Sequence, residues 1–284
     1  MTTAILTVFT LLAFAANSLL CRMALGEDLI DPLTFTAIRL VSGALVLVPT
    51  ARLVAESKPP QRATGSWGSG LALFAYAAAF SLAYVTLGAG VGALILFGSV
   101  QVTMLGAALR AGETLGPVQW LGSGVAIGGL TYLVLPGISA PDPLGAILMC
   151  VAGVAWGVYS IRGRGVSAPV AMTAGNFLRS APFAIIAGAA ALSSVHLQPA
   201  GILLALTSGI VTSGLGYVLW YKALKSLTTV RASVVQLVVP VLAAFGGVAF
   251  LSEQLSIRLV VASILILGGV ALAILKSKPK ARCK

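Results

Sequence analysis

Residues 106–129 read GAALRAGETLGPVQWLGSGVAIGG, and residues 246–269 read GGVAFLSEQLSIRLVVASILILGG. Aligned at a spacing of 140 residues, they share Gly106 and Gly246, Glu113 and Glu253, Leu115 and Leu255, Ser123 and Ser263, and the pairs Gly128-Gly129 and Gly268-Gly269. The same spacing holds upstream: Arg22 and Arg162 close the first hydrophobic run of each half, and Arg39 and Arg179 sit inside the second. The matches are few, but they are residues with backbone or charge consequences, and they keep one order. In a chain of 284 residues this spacing is close to half the length. The expected organisation is a duplication, with residues 1–140 as the first half and 141–284 as the second, which ends in a basic tail.

Each half is too apolar for water. Hydrophobic residues make up 58% of the chain and charged residues 9%, against about 25% charged in an average soluble protein. Mean hydropathy is +1.03. A helix needs roughly 20 apolar residues to cross a bilayer core of about 30 Å. Ten stretches meet that need: 3–22, 32–53, 67–87, 91–110, 117–135, 143–161, 169–192, 199–221, 230–251 and 257–275. They use most of the chain, so no separate soluble domain is expected. A closed β-barrel also satisfies its backbone in lipid, but its strands alternate apolar and polar residues, and Leu203–Leu206 and Ser263–Leu267 do not. The expected fold class is an all-α integral membrane protein of ten transmembrane helices.

The net charge of +11 raises nucleic-acid binding, and the placement of the charges argues against it. With the N-terminus in the cytoplasm, the inner segments hold Arg52, Lys58, Arg62, Arg110, Arg162, Arg164, Lys222, Lys225 and Arg231, and the tail adds Lys276, Lys278, Lys280, Arg282 and Lys284. That is 14 of the 18 basic residues. The bias is the positive-inside pattern of a bacterial-type inner membrane protein, with both termini cytoplasmic. The tail reads as an anchor to membrane lipids, with no nucleic acid as partner. Ala13-Phe14-Ala15 imitates a signal-peptidase site, yet no Lys or Arg precedes the run, so a retained first helix is expected. Cys21, Cys150 and Cys283 are odd in number and lack metal-ligand spacing, so packed or lipid-facing thiols and no cofactor are expected.

Five spans per half is an odd number, so the second half enters the membrane in the opposite sense to the first. Duplicated halves of inverted topology mark many transporters, whose sites lie where the halves meet and whose two open states are near mirror images. Glu113 is then expected on the cytoplasmic side and Glu253 outside, each capping a helix N-terminus. Gly124 and Gly128 form a small-residue face on the fifth span, where close helix contact is the ordinary reading. Gly214 and Gly216, at mid-span in the eighth, are hinge candidates because glycine weakens a helix. Pro240, at mid-span in the ninth, is the stronger hinge candidate because it removes a backbone hydrogen bond; its counterpart is Val100.

Polar groups inside spans are candidates for substrate contact because lipid offers them no partner. Asn17, Ser81, Ser99, Gln101, Asn176 and Gln236 qualify, with interhelical hydrogen bonding as the alternative role. Tyr76, Phe80 and Tyr84 recur at every fourth position and share one helix face. Trp156 and Tyr159 share a face of the sixth span, and Tyr217, Trp220 and Tyr221 cluster in the eighth. Interfacial anchoring is an alternative for Tyr84, Trp220 and Tyr221, near span ends. An aromatic-walled cavity with a few amides suits a flat, apolar or amphipathic solute. The expected substrate-binding set is Asn17, Tyr76, Phe80, Tyr84, Ser99, Trp156, Tyr159, Tyr217 and Gln236.

No Asp or Glu lies at the centre of a span, so the buried carboxylate that trades a proton for a cation in many multidrug carriers is missing. No Gly-Lys-Ser/Thr phosphate loop is present, which argues against ATP-driven transport. Arg39 and Arg179 are buried charges that either pair with a substrate carboxylate or, the favoured reading here, bond backbone carbonyls or snorkel. His196 is the only histidine, which leaves a membrane-embedded enzyme without a clustered acid–base set. A quaternary-ammonium exporter using cation–π contacts is the rival within the transporter class; a scaffold needs no inverted repeat.

Two five-helix halves, an Arg in the second helix of each, and Gly112-Glu113 or Ser252-Glu253 at each four-to-five junction resemble the drug/metabolite transporter superfamily. Glu253-Gln254-Leu255, Gly268-Gly269 and Tyr221-Lys222-Ala223-Leu224 are similar to its EamA-type ten-helix exporters. Within these the chain looks nearest to the YddG-type exporters of aromatic amino acids. The resemblance implies a central cavity between the halves, alternating access, and export of aromatic or hydrophobic amino acids. Without an embedded acid, facilitated diffusion is the simplest mechanism.

Overall fold

The computed structural model describes residues 2–54, 65–110, 116–135, 137, 140–163, 166, 168–191, 196–224, 235–236 and 238–275. Among them the chain is helical almost throughout, with one isolated bridge between Ile30 and Leu197. The helices are α1 (Thr2–Gly26), α2 (Pro32–Val54), α3 (Trp67–Tyr84), α4 (Ala89–Arg110), α5 (Pro117–Val134), α6 (Pro143–Arg162) and α7 (Pro169–Ala190). Then α8 (Pro199–Thr207), a π-helical stretch (Ser208–Leu215) and α9 (Gly216–Leu224) run on as one rod. They are followed by α10 (Val238–Leu251) and α11 (Ile257–Leu275). The ten rods are those the apolar runs predict. Seven are long and apolar enough to cross a membrane, and α10 and α11 are shorter apolar helices.

Proline sets many of the starts. Pro32, Pro117, Pro143, Pro169 and Pro199 each open a helix, where the absent N–H is one that no helix bond uses. Side chains cap several helix N-termini. Asp31 Oδ1 accepts from Thr34 N at 2.9 Å, Ser66 Oγ from Ser69 N at 3.1 Å, and Asp142 Oδ2 from Gly145 N at 2.6 Å. The outer surface is apolar, with Ile147, Leu178, Ile186, Leu203, Phe245 and Ile264 exposed, while Thr10, Ser18, Thr36, Arg39, Ser81, Asn176 and Ser208 are buried. Polar groups inside and hydrocarbon outside is the arrangement lipid selects.

The packing repeats across the two halves. Helix α2 packs on α7, α4 on α10 and α5 on α11. Helix α3 packs on α6 and α7 much as the α8–α9 rod packs on α1 and α2, and α4 packs on α6 as α10 packs on α1. The α5–α11 seam runs through Gly129 and Gly269, a repeat-related pair. A Cβ added at Gly269 would stand 2.5 Å from Ala126 N and 2.6 Å from Gly122 O. The small-residue face expected at Gly124 and Gly128 is not the packed one, because a Cβ at either meets nothing within 4 Å. The rods turn their adjacent glycine instead. Gly269→Ala is expected to lower stability by about 1–3 kcal/mol, since backbone cannot yield to the methyl. Gly268→Ala, with open space around it, is the neutral control. Unfolding midpoints of the two purified variants check this, and equal midpoints would refute the seam.

The hinge candidates Gly214 and Gly216 lie in and just after an unusual helical stretch. The chain there is π-helical over Ser208–Leu215, and Gly216 is the first residue of α9. Pro240 is the third residue of the described α10. Two prolines the sequence reading passed over, Pro49 and Pro182, stand inside α2 and α7.

Candidate functional site

About halfway along, six of the rods meet around a small cavity. Phe14, Asn17 and Ser18 come from α1, Arg39 from α2, Tyr76 and Phe80 from α3, and Leu96 and Phe97 from α4. The second half contributes Trp156 from α6, Thr212 and Ser213 from the π-helical stretch, and Tyr217 from α9. The cavity volume is ≈ 20 Å³, room for about one water. A larger apolar groove of ≈ 620 Å³ lies elsewhere, between the end of α5 and the face of α6 that carries Ile147, Val151 and Val154. Those side chains belong to the exposed outer surface, where lipid lies, and the groove offers no polar side chain to orient a solute. The functional candidate is the small central cavity, where polar groups and both halves converge.

Rings form its wall. Trp156 stands 4.9 Å from Tyr76, 5.2 Å from Tyr217 and 6.4 Å from Phe14, centroid to centroid. Phe14 also meets Tyr217 edge-on at 5.9 Å, and Tyr76 meets Phe80 at 5.3 Å. These contacts join α1, α3, α6 and α9 through one aromatic cluster. The polar side is built on Asn17, whose Oδ1 accepts from Ser208 Oγ at 2.7 Å and Thr212 Oγ1 at 3.0 Å. Arg39 is 2% exposed and donates from Nε to Ser213 Oγ at 3.1 Å and from Nη2 to Tyr76 OH at 3.3 Å. Among the described residues it donates to no backbone carbonyl, and it is buried and does not snorkel, which corrects the favoured sequence reading. Arg179 does what was expected of both, donating to Gly175 O at 3.0 Å in its own helix.

The structure brings Asn17, Tyr76, Phe80, Trp156 and Tyr217 together around the cavity. Tyr84 lies one ring further out, edge-on to Phe80 at 4.6 Å, with its OH donating to Ala89 O at 3.3 Å. Tyr159 stacks behind Trp156 at 5.5 Å. Ser99 packs where α4 meets α6, close to Gly153. Gln236 is half-buried and is not among the lining residues, and the side chain of Tyr221 lies outside the described residues. Phe14, Ser18, Thr212 and Ser213 were not anticipated. Among the described residues no group of three His, Cys, Asp or Glu is placed to hold a metal.

One end of the bundle is tied across the halves. Glu253 accepts from Ala89 N through Oε1 and Oε2, each at 2.9 Å, and pairs with Arg22 Nε at 3.5 Å. It therefore caps α4, a helix of the other half, while Ser256 Oγ accepts from Leu259 N at the start of α11. Arg22 Nη1 donates to Tyr84 O at 3.0 Å and Val85 O at 2.8 Å, closing the C-terminal end of α3. Beside them Thr86 Oγ1 donates to Asp142 Oδ2 at 3.1 Å. At the opposite end Arg162 Nε donates to Ser69 Oγ at 3.1 Å, and Ser66 N donates to Asn176 Oδ1 at 2.9 Å. The expected cap by Glu113 lies outside the described residues.

Comparison with known proteins agrees with this architecture. A model of the EamA-like transporter family matches the chain twice, over residues 1–135 and 143–275. An uncharacterized protein of Pseudomonas aeruginosa is 52% identical over 270 residues, covering 95% of this chain and 93% of that protein. The threonine/homoserine exporter RhtA of Salmonella typhimurium is 28% identical over 234 residues, covering 78% of this chain and 74% of its own length. A solved crystal structure superposes with a TM-score of 0.66 at 22% identity, covering 96% of this chain and 99% of the other, and so shares its fold.

Proposed function

Because the chain belongs to the EamA-like transporter family, a family of membrane transporters and not of enzymes, we propose that it exports amino acids with aromatic or other hydrophobic side chains, and related metabolites. The observation that carries this reading is the ring-walled cavity at the junction of the halves, with Asn17 and Arg39 as its polar side. Rings offer stacking and edge contacts to a flat apolar side chain. The guanidinium disfavours a cationic occupant, which counts against a quaternary-ammonium carrier. The relative that exports threonine and homoserine supports amino acids as the class, and the aromatic wall supports larger side chains within it.

Alternating access is the proposed mechanism. Residues 1–140 and 141–284 act as repeats of inverted topology, a reading supported by the double family match and by packing that recurs when the halves are exchanged. Both termini face the cytoplasm of a bacterial-type inner membrane, so the Arg22–Glu253 end faces outward. All seven acidic residues lie at or beyond span ends in the sequence, so substrate moves down its own gradient without a proton-exchanging carboxylate. Tyr84, Ser99, Tyr159 and Gln236 enter as supporting or transiently exposed residues, and the π-helical stretch beside Gly214 and Gly216, together with Pro240, as the flexing element. The test is flux of labelled phenylalanine, tryptophan, threonine and a hydrophobic cation in proteoliposomes, with and without a pH gradient. Aromatic amino-acid flux indifferent to the gradient is expected. Proton-driven cation flux without amino-acid flux would overturn the proposal.

A further inference from the structure

Among the described residues the guanidinium of Arg39 has no counter-charge. It is 2% exposed, inside the span of α2, and no carboxylate reaches it among the described residues. Its partners are neutral: Ser213 Oγ, Tyr76 OH, and the faces of Tyr76 and Phe80 at 5.4 and 5.2 Å. Nη1 is buried and has no hydrogen-bond partner among the described residues. An unpaired ion in a low-dielectric interior is costly, and neutral hydrogen bonds and ring faces offset only part of that cost. A protein keeps such a group when something else supplies the missing charge.

The geometry fixes what that would be. Arg39 is rooted where α2 rides directly on the π-helical stretch, so closely that a side chain at Gly209 would strike Arg39 O and Ser42 Oγ. Ser213 and Tyr76 hold Nε and Nη2. Of the five donors of a guanidinium, the two on Nη1 and one on Nη2 remain for a ligand. Two N–H groups side by side on one planar fork match the two oxygens of a carboxylate. Trp156 and Tyr217 line the same cavity as Arg39, so once the cavity widens beyond ≈ 20 Å³ an anion held on the fork leaves its hydrophobic substituent against the rings.

We propose that Arg39 is the anchor for the substrate's carboxylate, which makes the ligand class an organic carboxylate with an apolar substituent. This rests on the export reading above and deepens it. The recognition element is the acid group, and the amine of an amino acid is secondary to it.

The test is binding of phenylalanine, hydrocinnamate, phenylalaninamide and phenethylamine to the purified full chain, followed by tryptophan fluorescence and by thermal shift. Wild type is expected to bind the two carboxylates and to bind the amide and amine at least 100-fold more weakly. Arg39→Met is expected to lose carboxylate binding by 100-fold or more, and Arg39→Lys, which keeps the charge but not the fork, by about tenfold. Equal binding of acid and amine by wild type, no binding of either acid, or unchanged affinity in a folded Arg39→Met would overturn the proposal. Should Arg39→Met fail to fold, the wild-type ligand series decides alone. Flux on the same preparations separates the two readings. Carboxylate binding without flux keeps the anchor and overturns transport of these solutes; phenylalanine flux unchanged in Arg39→Met overturns the anchor and keeps transport.

Discussion

Trp156→Ala is expected to abolish aromatic amino-acid flux in proteoliposomes and to lower the unfolding midpoint of the purified protein. The indole meets Phe14, Tyr76, Tyr159 and Tyr217, so its loss severs the contact among α1, α3, α6 and α9 at one point. Removing a buried Trp costs about 3–5 kcal/mol, and each ring pair lost beyond simple burial about 0.5–1.5 kcal/mol. Trp156→Phe keeps one ring in place and separates the roles: it is expected to fold with a near-normal midpoint while reducing flux several-fold. Full flux in Trp156→Ala at normal protein level would remove Trp156 from the substrate path.

Glu253→Ala is expected to open the end of the bundle where Arg22 lies. The carboxylate accepts twice from Ala89 N and pairs with Arg22, and a side chain at Gly88 or Gly247 would run into it. The ion pair is partly solvated, with side-chain exposures of 25% and 20%, so it contributes under about 1 kcal/mol. The helix cap adds about 1–2 kcal/mol. A combined loss of about 2 kcal/mol raises the open population roughly 30-fold. Cys21 reports it, because its thiol is fully buried beside Ser81, one residue from Arg22. In a Cys150→Ala, Cys283→Ser background, maleimide labelling of Cys21 is expected to accelerate by about that factor, with Glu253→Gln intermediate. An unchanged labelling rate would show that Glu253 does not hold this end closed.

The rods were legible because each needs a long apolar run, and half of those described begin at a proline. The expected stretch 169–192 and the helix Pro169–Ala190 differ only at one end. Tyr76, Phe80 and Trp156 were legible because aromatic spacing on a helix survives without knowing the partner. Phe14 was not, since it sits in an evenly apolar run and only the approach of α9 and α6 gives it a direction. Gly129 and Gly269 stood in the repeat, but which of two adjacent glycines faces the seam is set by how α5 and α11 are rotated. The role of Arg39 needed Ser213, 174 positions away in the chain, to be seen beside it. Ser208–Leu215 carries no sequence mark of a π-helix beyond its glycines and hydroxyls.

The cavity of ≈ 20 Å³ has a further meaning for the membrane around it. A membrane that stores energy as an ion gradient loses part of that store wherever a carrier leaks. Here the central cavity has one water's worth of space, beside a guanidinium that no carboxylate reaches among the described residues. A proton or sodium ion crossing there meets that charge in a medium that screens it poorly. On the proposed transport reading, the protein in this state is expected to be an electrical insulator, with the residue proposed to attract the cargo also guarding against leakage between cycles.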